Sequence, residues 1–240
     1  MLQFIEKLDS NERNLRKRID SDFICNRGLL KRIALAFSFF DTIDDEKNRK
    51  TLHLATKFEN CMIEDEENSQ VTCSSKIKVV NRLKIRGTLN VFSCSETDAM
   101  DKENKYIEIK LLKYGRDKYW LKNRALNVYL QVYLCNIHLF LFGYRLNERY
   151  QNDKVHQIEL VDRNRLLIEM IQLGNKSFTA ETVNESICFL YDTLSHIQKM
   201  LYENDLAIYV KQSARAKFRF EYISSEDCEF VPEEFLEKFE

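Results

Sequence analysis

Two kinds of hydrophobic periodicity alternate along the chain. The segments "YIEIK" (106–110) and "AKFRFEYI" (216–223) alternate apolar and polar residues, which is the pattern of half-buried β-strands. Helical spacing of apolar residues occurs instead from Asp117 to about Asn136, and again over about 180–204. We therefore expect a mixture of sheets and helices, in the α/β or α+β class.

Apolar residues at helical spacing define both predicted helices. The first helix carries Leu126, Tyr129, Leu130, Tyr133 and Leu134. The second carries Val183, Ile187, Leu190, Leu194 and Met200. A second row on the first helix, at i, i+3 and i+7, is polar and consists of Arg124, Asn127 and Gln131. The first helix is therefore amphipathic and presents one glutamine on its polar row.

The composition is that of a folded protein with little net charge. Of 240 residues, 44% are apolar and 31% are charged, so we expect one domain over residues 1–240 rather than a disordered chain. The formal net charge of −1 provides no overall field that would attract a polyanion. Any nucleic-acid site must then be a local basic pocket.

Cysteine and histidine usage adds a prediction about the compartment. The seven cysteines form no Cys-x-x-Cys pair and the chain starts with a charged segment, so we expect a reducing compartment, nuclear and/or cytoplasmic. The four histidines are too dispersed for a zinc cluster. The apolar segment 128–144 contains Gln131, Asn136 and His138, so we expect a buried helix that runs into a buried strand, and no membrane span.

The strand "YIEIK" carries an acid and a base on one face. Residues two apart in a strand point to the same side, so Glu108 and Lys110 can reach one phosphodiester together. In a nuclease such a carboxylate holds a divalent cation, and the ammonium stabilises the attacking water or the developing phosphate charge. The alternative is an ordinary exposed ion pair on a solvated strand.

A set of short motifs surrounds this strand, in order from about Asp22 to Phe239. They are "DFICNRGLL" (22–30), "ATKFENCM" (55–62), Glu108-Ile109-Lys110, Gln131, Gly143-Tyr144-Arg145 and "FVPEEFLEKF" (230–239). This ordered set resembles the DXO family of RNA decapping exoribonucleases. The resemblance implies one domain with two twisted mixed β-sheets flanked by helices. It also implies removal of incomplete, unmethylated or nicotinamide-type caps from RNA 5′ ends, and 5′→3′ degradation with two Mg²⁺ or Mn²⁺ ions.

The resemblance also implies roles for individual residues. The implied metal ligands are Glu59, Glu108 and the backbone carbonyl of Ile109. The implied catalytic residues are Glu108, Lys110 and Gln131, of which Lys110 and Gln131 contact the scissile phosphate and its water. The implied RNA-binding residues further include Asn26, Arg27, Gly28 and Cys73. Structural alternatives stay open for Arg27 as an ion-pair partner, Glu59 as a helix-face acid, Gln131 as a backbone hydrogen-bonding amide and Cys73 as a buried thiol.

The chain departs from the family at the acids expected one strand before Glu108. The segment "RGTLNVF" (86–92) has Thr88 and Asn90 where the family has two metal-binding carboxylates, which makes Asn90 a degenerate metal position. Neutral ligands are poor substitutes for carboxylates at Mg²⁺, so we expect metal affinity to fall. The glycine of the family's first motif is replaced by Ala55, a milder change.

An alternative register supplies the missing acids. Glu96 and Asp98 have the required acid-x-acid spacing. Against this register, the middle residue is Thr97, no glycine precedes the pair, and the polar segment 95–105 has the composition of a loop.

Three functional hypotheses follow from the resemblance. The first is a catalytically degenerate member, similar to the insect relative Cutoff, that binds RNA 5′ ends or a protein partner with its metal chemistry weakened or lost. The second is an active decapping nuclease that recruits metal through Glu96 and Asp98 or uses one ion. The third is a non-catalytic module that binds a nuclear 5′→3′ exoribonuclease. None of the three involves a membrane.

Overall fold

The computed structural model describes residues 21–36, 49–63, 77–113, 115–145, 154–173, 180–203, 207–214 and 217–223. The strands in these ranges are β1 (Phe23–Asn26), β2 (Ile77–Ile85), β3 (Leu89–Thr97), β4 (Ala99–Met100), β5 (Tyr106–Leu112), β6 (Leu139–Arg145), β7 (Val155–Asp162), β8 (Ala207–Ala214) and β9 (Lys217–Ile223). The helices are α1 (Arg27–Ala36), α2 (Arg49–Met62), α3 (Lys118–Asn123), α4 (Ala125–Tyr133), α5 (Arg163–Leu173) and α6 (Ala180–Glu203). None of these helices has both the length and the apolar character that a membrane crossing requires.

The strands form two larger sheets and a hairpin. One sheet has the order β1-β3-β2, with β1 and β3 parallel. The other has the order β4-β5-β6-β7, in which β5 and β6 are parallel and the outer pairs are antiparallel. Strands β8 and β9 pair antiparallel by themselves. The predicted class, a mixed α+β fold with two sheets and helices, is confirmed.

The chain folds into two compact units. The first unit contains Met1–Phe39, Val80–Cys94 and Asn184–Glu240, and the second contains Phe40–Val79 and Ser95–Val183. The second unit holds most of the described core, including the four-stranded sheet. Along one face of β6, the aromatic rings of Phe140, Phe142 and Tyr144 follow one another at centroid distances of 5.2 and 6.4 Å.

A glycine allows helix α2 to approach the opposite face of β6. A side chain at Gly143 would overlap the ring of Phe58, which lies against the backbone there. Because side chains alternate along a strand, Phe58 occupies the face opposite Phe142 and Tyr144. The glycine of the Gly143-Tyr144-Arg145 motif is therefore required by packing.

Strong periodicity in the sequence marks elements that the structure contains. "YIEIK" lies in β5, "AKFRFEYI" corresponds to β9, and the helix expected over about 180–204 is α6. The apolar run 128–144 is a helix followed by a strand, as predicted. The cysteines that the structure describes, namely Cys25, Cys61, Cys94, Cys135 and Cys188, are free thiols.

The single helix expected from Asp117 to about Asn136 is instead two helices, α3 and α4. The Asp117 side chain caps α3 by accepting a hydrogen bond of 2.8 Å from the Trp120 amide. The chain then leaves helical geometry at Arg124, where φ is −124° and ψ is −32°. Periodicity does not reveal such a break, because the apolar stripe belongs to α4 alone.

The expectation of a loop over 95–105 is wrong for its first half. Strand β3 continues to Thr97 and β4 follows at Ala99–Met100. The buried Thr97 hydroxyl donates to the Ile107 carbonyl at 3.1 Å, so a polar residue is satisfied inside the sheet. Serine and threonine gave this strand the composition of a loop.

Candidate active site

Three side chains predicted to act together meet at β5. Glu108 is 1% exposed, and its Oε1 accepts hydrogen bonds from Lys110 Nζ and from Gln131 Nε2. Strand β5 places Glu108 and Lys110 on one face, and helix α4 brings Gln131 over that face. Glu108, Lys110 and Gln131 therefore lie within hydrogen-bonding distance of one another around a single carboxylate oxygen.

The burial of Glu108 makes its two partners energetically important. A carboxylate removed from water is stabilised only by a nearby cation and by hydrogen bonds. Lys110, whose side chain is 25% exposed, supplies the cation and still opens to solvent. The Lys110 ammonium and the half-buried Gln131 amide therefore lie between the buried Glu108 carboxylate and the protein surface.

Asp98 lies beside the same strand. Its Oδ2 accepts a hydrogen bond of 2.8 Å from the backbone N–H of Ile109, the residue between Glu108 and Lys110. Glu96 lies two residues earlier, at an exposed position in β3. The objection that the Glu96 and Asp98 pair falls in a loop therefore does not hold for Glu96, which is in a strand, and Asp98 is held against β5.

Thr88 and Asn90, the neutral replacements, belong to the first unit. The Thr88 hydroxyl donates to the Tyr191 hydroxyl at 3.1 Å. The Asn90 backbone exchanges hydrogen bonds with Asp22: its N–H donates to Asp22 Oδ2 at 2.7 Å, and its carbonyl accepts from the Asp22 N–H at 2.8 Å. Hydrogen bonds from the hydroxyls of Thr88 and Ser195 lower the pKa of Tyr191. These contacts tie both residues into the fold of the first unit.

The predicted RNA-binding residues at 26–28 also lie in the first unit, where β1 passes into α1. Asn26 Oδ1 accepts from the Leu29 N–H at 2.8 Å, the bond of an N-cap. A Cβ at Gly28 would lie 3.2 Å from that oxygen, so the cap leaves little room for a larger residue. Arg27 is half-buried at the first position of α1. Cys73 lies outside the described residues.

Glu59 and Ala55 lie one turn apart on α2. Glu59 is half-buried, and its helix contacts β5. Within the described ranges, no three Asp, Glu, His or Cys side chains are grouped closely enough to hold a metal ion. The donors that the structure places along β5 are the carboxylates of Glu108 and Asp98. Magnesium commonly binds proteins through one or two carboxylates and completes its shell with water and phosphate oxygens, so these two residues have the donor chemistry of a hard-cation site.

A half-buried charge network in the second unit has no counterpart in the sequence analysis. Arg116 forms a two-pronged ion pair with Glu169 at 2.8 and 3.0 Å and contacts Glu159 at 3.0 Å. The Tyr144 hydroxyl donates to Glu159 at 2.9 Å. Burial opposes ionisation of Glu159, but the hydrogen bonds from Arg116 and Tyr144 outweigh it and lower the pKa of this carboxyl.

This network borders a cavity of about 440 Å³. Its lining consists of Gly115, Arg116, Tyr144, His156, Gln157, Glu159, Glu169 and Leu173. In the sequence these charges resemble a solvated surface, because the partners are 15 to 53 residues apart. Among the motifs of the sequence analysis, Gly143-Tyr144-Arg145 is the one that contributes a residue to this cavity, namely Tyr144.

Comparison with known proteins identifies the fold. No family model and no curated protein sequence matches the chain. Among solved structures, S. pombe Rai1 is 16% identical with a TM-score of 0.69, covering 85% of this chain and 72% of that one. K. lactis Dxo1 in complex with manganese is 15% identical with a TM-score of 0.64, covering 88% and 66%. Candida albicans Rai1 in complex with pU5-Mn²⁺ is 15% identical with a TM-score of 0.63, covering 91% and 75%.

At these identities the likeness concerns the fold. The fold implied by the ordered motifs is therefore confirmed: this chain has the fold of the Rai1 and Dxo1 structures.

Proposed function

We propose that this chain binds RNA 5′ ends at the Glu108 site and hydrolyses a phosphodiester bond there with the help of a divalent cation. The observation that carries the proposal is the buried Glu108 carboxylate, on which Lys110 and Gln131 converge. These are the residues for which the DXO resemblance implies catalysis. The relatives with this fold include S. pombe Rai1 in complex with 3′-FADP and C. albicans Rai1 in complex with pU5-Mn²⁺. Incomplete or nicotinamide-type caps are the proposed substrates.

Lys110 and Gln131 have the donors needed to hold a phosphate. An ammonium has three N–H donors and a side-chain amide has two, and each group directs one of them to Glu108. The others can hydrogen-bond phosphate oxygens, and the Lys110 charge stabilises the negative charge that develops there. Glu108 fixes both donors in position before the substrate arrives.

Asp98 and Glu108 are the residues that would hold the cation, with the Ile109 carbonyl between the catalytic side chains as a further ligand. A bound cation would supply Lewis-acid stabilisation of the phosphate. Asp98 is anchored by the Ile109 N–H, which orients its carboxylate beside β5. In this proposal Asp98, with Glu96 before it, takes the place of the acids absent at Thr88 and Asn90. One ion with two carboxylates is a smaller set than the two-metal arrangement of the family.

The second candidate is binding without efficient cleavage. It is supported by the neutral side chains of Thr88 and Asn90, and by the absence, among the described residues, of a group of three potential metal ligands. Such a protein would bind RNA 5′ ends or serve as a partner of a 5′→3′ exoribonuclease, in the nucleus or cytoplasm. Its Glu108 cluster would then hold phosphate without cutting it.

Hydrolysis of defined RNA 5′ ends separates the candidates. Purified protein is incubated with NAD-capped and triphosphate RNAs in Mn²⁺, and Mn²⁺ binding is measured by calorimetry in parallel. The proposal expects Asp98→Asn and Glu108→Gln to reduce both turnover and Mn²⁺ affinity. The matched control, Glu103→Gln, changes an exposed acid outside the site and should leave both unchanged.

The alternative outcomes are equally specific. Salt-dependent RNA binding without turnover, together with a gain of turnover in the Thr88→Glu, Asn90→Asp double variant, would establish the degenerate form. No RNA binding at any salt concentration would rule out hydrolysis and RNA 5′-end binding, and leave only the role as a partner of another protein.

A further inference from the structure

Positive charge is concentrated in the part of the chain that contains helix α3. Acids make up 38 of the 240 residues, yet Asp117 is the one acid between Glu108 and Glu148, where seven residues are lysine or arginine. The formal net charge of −1 is therefore unevenly distributed along the sequence. This segment has the local excess of cations that a polyanion would need.

Three exposed residues of α3 form a basic and aromatic surface, here called the α3 patch: Lys118, Tyr119 and Lys122. Residues three and four apart are neighbours on a helix surface, so Lys122 lies next to both Lys118 and Tyr119. The Tyr119 side chain is 69% exposed. Among the described residues, no carboxylate forms an ion pair with either lysine. The nearby Asp117 carboxylate accepts the Trp120 N–H as the cap of the helix.

The other residues of α3 hold the patch beside the Glu108 site. Leu121 is 1% exposed, and the Trp120 ring packs edge-on against Phe142 with the ring centroids 5.8 Å apart. Phe142 is directly opposite Lys110 in the parallel pairing of β5 and β6. Because paired residues of neighbouring strands point to the same side of a sheet, α3 lies over the face that carries Lys110.

We propose that the α3 patch binds the single-stranded RNA that continues from the 5′ end held at the Glu108 site. One base stacks on the Tyr119 ring, and the ammonium groups of Lys118 and Lys122 bind the phosphates on either side of it. This inference rests on the proposed function, because the RNA is extended from the phosphate at Lys110. Aromatic rings among cations bind single strands with little sequence preference, since every base has a π-face.

The composition of the patch favours RNA over an acidic segment of another protein. The centre of a protein–protein interface is apolar and depleted in charge. The remaining large apolar residues of α3, Trp120 and Leu121, pack inward, and the Tyr119 ring lies between two lysines. A single ring flanked by ammonium groups matches a base between two phosphates.

Fluorescence of Trp120 tests the stacking contact directly, because it is the one tryptophan of the chain and lies next to Tyr119. The full chain is titrated with 5′-phosphorylated oligouridine in EDTA, which prevents metal-dependent cleavage. Oligouridine should quench Trp120. Tyr119→Leu should weaken its binding about 10-fold, within the range for loss of one base–aromatic stack, and Tyr119→Phe should bind as the wild type does. Binding of a 5′-phosphorylated dinucleotide, which ends before α3, should be the same in all three proteins.

Salt dependence tests the phosphate contacts. In the Lys118→Gln, Lys122→Gln variant the slope of log affinity against log salt should become shallower by about 1.4, because each phosphate contact to a single strand contributes about 0.7. The matched control is Lys102→Gln, Lys154→Gln, which removes two exposed lysines elsewhere in the second unit and should leave the slope unchanged. Circular dichroism verifies that each variant is folded.

Three results would overturn the proposal. The first is equal affinity of Tyr119→Leu and the wild type for oligouridine, and the second is an equal salt slope in the two double-lysine variants. The third is quenching of Trp120 by polyglutamate as strong as that by oligouridine, which would assign the patch to an acidic protein segment. Failure of the proposed hydrolysis is distinguishable, because a chain without turnover of NAD-capped RNA in Mn²⁺ can still bind oligouridine in a Tyr119-dependent way.

Discussion

Removal of the Lys110 ammonium tests how strongly the site depends on its internal ion pair. Lys110→Met keeps the length of the side chain and deletes its charge. Glu108, which is 1% exposed, then retains the Gln131 hydrogen bond but loses the Lys110 ammonium. Breaking a buried pair costs about 3–5 kcal/mol. Because the Lys110 side chain is 25% exposed and water can replace part of the interaction, we expect roughly 2–3 kcal/mol.

Urea unfolding of four proteins measures this free energy. Lys110→Met is compared with the wild type, with the double variant Glu108→Leu, Lys110→Met, and with Lys105→Met, which breaks the exposed pair with Glu103. The double variant removes the buried Glu108 carboxylate together with the Lys110 ammonium, so it should recover most of the lost free energy of unfolding. Lys105→Met should have little effect, since its ion pair is solvated. The reasoning is refuted if Lys110→Met costs no more than Lys105→Met, or if the double variant is as unstable as the single one.

Three further predictions concern packing, pH and thiol reactivity. Gly143→Ala should destabilise the chain by about 1–3 kcal/mol in urea, because the added methyl overlaps the Phe58 ring, and Phe58→Leu in the same chain should recover part of this loss. The lowered pKa of Glu159 contributes stability that is present above the pKa of this residue in the unfolded chain and is lost as pH falls through its pKa in the folded chain. Glu159→Gln should therefore flatten the decline of the urea midpoint between about pH 6 and about pH 2. An unchanged slope in the variant would contradict this reasoning. Burial raises the pKa of the Cys25 thiol to about 12, so iodoacetamide near neutral pH should modify the exposed Cys61 and spare Cys25 until urea is added; equal labelling by mass spectrometry would argue against burial.

The sequence predicted those elements in which apolar and polar residues follow a complete period, namely β5, β9 and α6. The pattern failed where polar residues are buried, since Thr97 satisfies its hydroxyl within the sheet and so disguises the end of β3. It also failed at Arg124, where the backbone leaves helical geometry, because the apolar stripe lies in α4 alone and carries no signal of where α3 ends.

The residues of the candidate site, like the elements of the fold, could be predicted from the sequence only in part. Glu108 and Lys110 could be paired from the sequence because strand geometry fixes neighbours two residues apart, and the family resemblance supplied Gln131. The Arg116 network could not be predicted, because its carboxylates come from β7 and α5 and only the tertiary fold brings them together. Charged residues in a sequence resemble a solvated surface whether or not the fold later buries them.

Sequence and structure lead to different expectations about which acids bind the metal ion together with Glu108. The sequence placed the family's acid positions at Thr88 and Asn90, in part because Gly87 precedes them. In the structure Gly87 has a φ of 76° and Thr88 completes the turn between β2 and β3, so the glycine is explained by the turn. Asp98, in contrast, is hydrogen-bonded to the strand that carries Glu108. If Asp98 is the functional acid, Asp98→Asn should weaken Mn²⁺ binding, whereas adding carboxylates at Thr88 and Asn90 should leave it unchanged. The reverse pattern would show that the functional acid positions are those of Thr88 and Asn90, and that the loss of two carboxylates there weakens metal binding in this chain.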